Sequence, residues 1–85
     1  RLQLQPEEPR LYQLQAQAYA AQGNRLLQHR AQGEAYVRNG ELGAAVEQMQ
    51  IALKLGEGDF YQLSAIESRL RELRRLQLEQ DRKRQ

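Results

Sequence analysis

The stretch GEAYVRNGELGAAVEQMQIA, residues 33–52, decides how this chain reads. Gly33, Tyr36 and Gly40 stand three and four residues apart, the spacing of one helical face closed by a helix stop. Ala45, Met49 and Ala52 resume the same spacing just past the stop, so a second helix follows almost without a loop. A glycine inside a helix costs about 1 kcal/mol relative to alanine, so Gly33 needs a compensating reason. Close approach of the neighbouring helix supplies it, because Ala45 and Ala52 offer small side chains along one face. Tyr36 then fills the gap alongside.

Upstream of this segment the pattern has already occurred once. A shift of 17 residues lays Ala16, Tyr19 and Gly23 over Gly33, Tyr36 and Gly40. Punctuation elsewhere predicts about four helices, at 9–22, 24–39, 41–55 and 59–80, with a frayed tail at 81–85. Pro6 and Pro9 mark the first start, with Glu7 and Glu8 suited to a first turn. Gly23-Asn24, Gly40 and Gly56-Glu57-Gly58 end the first three segments in turn, and Asp59 is placed to cap the last. Helix one carries the stripe Leu11, Leu14 and Ala18; helix four carries Phe60, Leu63, Ile66, Leu70 and Leu73 at near-heptad spacing.

Composition bounds the function. The 85 residues make one domain at most, with 40% hydrophobic residues and an excess of Ala, Leu, Gln, Glu and Arg, which are helix formers. Thirteen basic against eleven acidic residues give +2, too balanced to point to a nucleic-acid partner. The absence of cysteine excludes disulfides, thiolate zinc sites and thiol nucleophiles. No apolar run reaches the roughly 20 residues a transmembrane helix needs. The chain opens on Arg1 within Leu2-x-Leu4-x-Pro6, which reads as the tail of a preceding repeat and hence as a piece of a longer protein.

A period of 34 residues per helical pair is characteristic of tetratricopeptide repeats, and 17 is half of it. The series Gly33, Tyr36, Gly40, Ala45, Met49, Ala52 resembles that family's signature over about Leu26 to Asp59. Two positions depart from it: Glu57 stands where the family usually has Pro, and His29 where it has a bulky aromatic. The resemblance implies an all-α fold of antiparallel helical hairpins, a short solenoid closed by a long C-terminal capping helix. In the family's register Arg30, Glu34, Val37 and Arg38 line a concave peptide-binding face, and Gln13 and Gln17 occupy the equivalent places one helix earlier. Members that clamp C-terminal carboxylates carry Asn where this chain has Glu34, so that ligand is not expected.

The run Ala45-Val46-Glu47-Gln48, Ala52 to Leu55, Gly58 to Tyr61, Ala65-Ile66-Glu67, Arg69-Leu70 and Glu72-Leu73, with Leu11-Tyr12, Ala16 to Tyr19 and Gly23-Asn24, is similar to something narrower. It resembles the C-terminal repeat region of bacterial periplasmic zinc metalloproteases of the β-barrel assembly-enhancing type. That implies a periplasmic location, a parent with an HExxH zinc domain upstream, and partners among outer-membrane β-barrel proteins or their assembly machinery. The present residues hold no HExxH, and their single histidine cannot build a site of two His and a carboxylate. No catalytic, cofactor or metal residues are therefore assigned: His29, Ser64 and Ser68 have no catalytic companion in the sequence and read as packing or surface residues.

The last third is basic, with Arg69, Arg71, Arg74, Arg75, Arg82, Lys83 and Arg84 against Glu67, Glu72, Glu79 and Asp81. Few aromatics are interleaved for base stacking, so a solvated helix with four-apart ion pairs is expected, and no nucleic-acid partner. Two functions stand at this point: a monomeric protein-binding module, or a structural element that dimerises through the C-terminal helix.

Overall fold

The computed structural model describes residues 8–84. Among them the chain is all-α: α1 is Pro9–Ala21, α2 Arg25–Arg38, α3 Leu42–Lys54 and α4 Phe60–Arg84, each packed on the next. Residues 1–7, including Leu2-x-Leu4-x-Pro6 and Glu7, lie outside the described residues, as does Gln85. The helix ends fall within a residue or so of the spans expected from punctuation, with one exception. The segment expected to fray past Gln80 is helical to Arg84. No Gly or Pro interrupts it, and its residues include the helix formers Arg and Lys, so nothing in the sequence stops the helix at Gln80.

The 17-residue echo has a local cause. α1 and α2 end in the same hydrogen-bonded turn. The amide of Gly23 donates to the Ala20 carbonyl at 3.0 Å and that of Asn24 to the Tyr19 carbonyl at 2.9 Å. The amides of Gly40 and Glu41 donate to Val37 and Tyr36 at the same two lengths, 3.0 and 2.9 Å. This double bond pattern needs a left-handed residue, and φ is +77° at Gly23 and +80° at Gly40. Each turn reverses the chain within three residues, so α1, α2 and α3 run antiparallel. Asp59 starts α4 as half of a reciprocal cap: the Gln62 amide donates to Asp59 Oδ1 at 2.8 Å, and the Asp59 amide donates to Gln62 Oε1 at 3.1 Å.

The core lies between α2, α3 and α4. Leu26, Ala45, Met49, Ala52, Ile66 and Leu73 are buried almost completely, with Leu42 and Leu70 beside them. Gly33 is pressed into α3: a Cβ built there stands 2.8 Å from Met49 Cε and 3.4 Å from the Ala45 carbonyl oxygen. His29, one turn earlier, ties the same two helices through its Nδ1, 2.7 Å from Gln48 Oε1. α1 contributes less. Only Ala16 is buried on it, on the side of α2 that carries buried Ala31 and Ala35.

Two apolar stripes are disposed otherwise than their spacing suggested. Leu11, Leu14 and Ala18 of α1 are exposed, Leu14 by 52%, because no described helix packs on that side of α1. Phe60 is 75% exposed, since α4 meets the core from Leu63 onward and its first residue stands at the rim, edge-on to Tyr61.

The Gly33 seat makes a stability prediction. Gly33→Leu overpacks the α2–α3 crossing and lowers stability by roughly 1–3 kcal/mol. Gly43 of α3 is exposed and its added Cβ would meet only Gln77 Nε2, at 3.4 Å. Gly43→Ala therefore stabilises, by about 0.5 kcal/mol. Thermal unfolding followed by circular dichroism should move the two midpoints in opposite directions; equal midpoints would show that Gly33 seats nothing.

Candidate functional site

Two helical stripes face each other across one side of the molecule. On α2, Arg30, Glu34 and Val37 follow at four and three residues; on α4, Arg69, Glu72, Leu76 and Lys83 follow at three, four and seven. Arg69 joins the stripes. Its Nε donates to Glu34 Oε2 at 2.7 Å and its Nη2 to Glu34 Oε1 at 2.9 Å, a two-pronged pair, while Nη1 reaches Glu72 at 2.9 Å. The Glu34 side chain is only 14% exposed and that of Arg69 25%, so water screens the pair poorly. The bonds to Glu34 hold the Arg69 pKa above its ordinary value despite the opposing effect of burial.

Arg38 stands on the same side of α2. Its Nη1 lies 3.9 Å from Glu34 Oε1, its guanidinium carbon sits 5.4 Å from the centre of the Tyr12 ring, and its buried Nε has no hydrogen-bond partner among the described residues. Tyr12 thus joins α1 to this surface.

The ion pair separates two hollows. One, of about 320 Å³, lies between α1 and α2 and is lined by Tyr12, Tyr19, Leu27, Arg30 and Glu34. The other, of about 420 Å³, opens where α4 overhangs the turn between α2 and α3, with Val37, Gly40, Leu42 and Leu76 as an apolar floor and Glu79 and Lys83 at its rim. Together they form a trough with a polar waist at Glu34–Arg69.

Arg30 and Glu34 line the first hollow and Val37 the second, while Arg38 lines neither and stands 3.9 Å from Glu34. Gln13 and Gln17, expected beside them, are placed elsewhere, in a separate hollow with Gln28 and Ala20. The handedness of the helix explains the separation. Residues wind one way only, so reversing a helix between its two neighbours carries the same register position from the front of the layer to the back. The nine signature residues are placed as follows: Ala16, Gly33, Ala45, Met49 and Ala52 are buried, Tyr19 and Tyr36 are half-buried, and Gly23 and Gly40 form the turns. Sequence reasoning did not single out Arg69, Leu76 and Lys83 as partners of the α2 stripe. Their spacing of seven residues each was the available signal, hidden within a run read as solvated charge. Among the described residues no group of His, Asp and Glu is gathered to hold a metal ion, and no helix is long and apolar enough to cross a membrane.

The waist should behave as a coupled, half-buried pair. A double-mutant cycle on Glu34→Gln and Arg69→Gln, read by urea unfolding, is expected to give a coupling of about 1–2 kcal/mol, against about 0.2–1 for an exposed pair. Arg69→Lys should recover only part of it, because an ammonium cannot make the parallel double contact. A coupling near zero would return Arg69 to ordinary surface charge. No protein-family model matches this chain, and no curated protein or solved structure matches it either.

Proposed function

We propose that this chain is a protein-interaction module built as a tetratricopeptide-type array. In this reading it is the C-terminal repeat region of a periplasmic zinc metalloprotease of the β-barrel assembly-enhancing type. The observation that carries the proposal is the seat of Gly33 against Ala45 and Met49. It supports the register in which the next residue, Glu34, looks onto the trough together with Arg30, Val37 and Arg38. The matching turns after Tyr19 and Tyr36 add to it, since they give the 17-residue recurrence the form of a structural repeat.

The module itself does no chemistry. Catalysis and its zinc belong to the parent's HExxH domain, and these helices offer a trough with two hollows and a rigid waist to outer-membrane β-barrel proteins or the machinery that assembles them. α4 acts as the cap. Its Ile66, Leu70 and Leu73 are buried within the chain, at 1, 7 and 0% exposure, which supports the cap in preference to a dimer seam along those residues.

Photo-crosslinking in the intact gene product tests this reading. A crosslinking residue at position 30 is expected to capture a component of outer-membrane protein assembly, while one at position 47, exposed on α3 away from the trough, is not. Equal capture at both positions, or a gene product without an HExxH helix upstream of these residues, would overturn it.

A further inference from the structure

We infer that the trough is selective for an acidic segment of a partner protein, one that seats an apolar side chain in the Val37–Leu42–Leu76 hollow and lays carboxylates beside Arg30, Arg38 and Lys83. The inference rests on the proposed interaction role and adds the chemistry of the ligand. By sign alone Glu34 in the middle of the face would turn carboxylates away. The structure weakens that objection, because both Glu34 oxygens accept from Arg69, which also pairs with Glu72, and Arg38 stands 3.9 Å from one of them. Glu79, the carboxylate at the rim of the larger hollow, is likewise held by Arg75 at 3.0 Å.

What is left uncompensated is cationic, and it stands at both ends. Arg30 in the smaller hollow and Lys83 at the rim of the larger have no carboxylate within 4.0 Å among the described residues. Between them Arg38 donates to the Tyr12 hydroxyl at 3.5 Å, and the one carboxylate near it is the Glu34 oxygen that Arg69 already occupies, at the long distance of 3.9 Å. An acidic ligand would give these three cations the partners that the chain withholds. The carboxylates of this face, Glu34, Glu72 and Glu79, are each already paired with an arginine of the chain, so a basic ligand would have to compete with those arginines. The apolar floor needs its own occupant, and a hollow of about 420 Å³ takes a leucine- or phenylalanine-sized group.

Fluorescence anisotropy on the 85-residue chain tests this with three labelled extended peptides: one with two leucines among Asp and Glu, one with the same leucines among Lys, and a neutral one among Ser and Gln. The acidic peptide is expected to bind at least about tenfold tighter than the basic one, and more weakly as salt rises. Lys83→Glu, at an exposed position, should weaken it about fivefold, and Leu76→Gln should abolish it with the helical circular dichroism retained. Equal binding of all three peptides, or preference for the basic one, overturns the acidic selectivity while leaving the interaction role standing. Binding of none overturns both. Tighter binding of a single-stranded oligonucleotide would assign the cations to phosphate, and a dimer by light scattering that Leu76→Gln returns to monomer would make a second copy the occupant. Either result overturns the inference.

Discussion

The approach of α2 to α3 at Gly33 sets the geometry on which the other contacts depend. With no side chain at that position, Met49 Cε can sit 2.8 Å from where a Cβ would stand, and Ala45 and Met49 are sealed from water. That closeness lets Ile66 and Leu73 of α4 join the same core as Leu26 of α2, two helices away along the chain. It also decides what the following residue does. One step along an α-helix is about 100°, so with Gly33 facing α3 squarely, Glu34 must turn off that contact. It turns toward α4, where Arg69 meets it. A packing constraint at one residue thereby aims a charge at the next.

α4 serves two purposes because it is long and striped twice. Its 25 residues span about 37 Å, whereas the 13 of α3 span about 20 Å, so the C-terminal half of α4 projects past its supporting helix. Along its length Ile66, Leu70 and Leu73 enter the core. The neighbouring stripe of Arg69, Glu72, Leu76 and Lys83 is turned toward α2 and forms one wall of the trough. Because the wall and the core stripe share a rigid helix, the waist and the apolar hollow are held at a fixed separation. The geometry of the trough is therefore tied to the stability of the core itself.

Much of the architecture was legible in the sequence because it depends on local chemistry. Glycine at the left-handed position after Tyr19 and Tyr36, Asp59 before Gln62 and the apolar spacing of α3 each act within a few residues. The site was less legible because it depends on how distant elements are oriented. Arg30, Glu34, Val37 and Arg38 share a stripe on one helix, and a stripe can be read from spacing. That Gln13 and Gln17 lie on the opposite side follows from the reversal of chain direction between α1 and α2, which a translational comparison of residues cannot see. That Arg69 meets Glu34, 35 residues away, required knowing that α4 returns over α2. The exposed stripe of α1 shows the same limit, since periodicity marks which residues share a face but not whether another helix covers it.

α1 is the helix held least firmly. Small side chains join it to α2, with Ala16 against the face carrying Ala31 and Ala35, and burial of methyl groups stabilises far less than burial of leucine or methionine. Yet α1 supplies Tyr12, whose ring lies under the Arg38 guanidinium and completes one hollow. Local opening follows the least buried contacts, so α1 separates from α2 more readily than α3 separates from α4. When it does, Arg38 loses the ring beneath it and becomes more open to solvent, while Glu34 and Arg69 stay clasped on the part of the structure held by the core. The two ends of the trough thus differ in kind: the Val37–Leu76 end is fixed by α2, α3 and α4 together, and the Tyr12–Arg30 end can yield to the shape of what enters it.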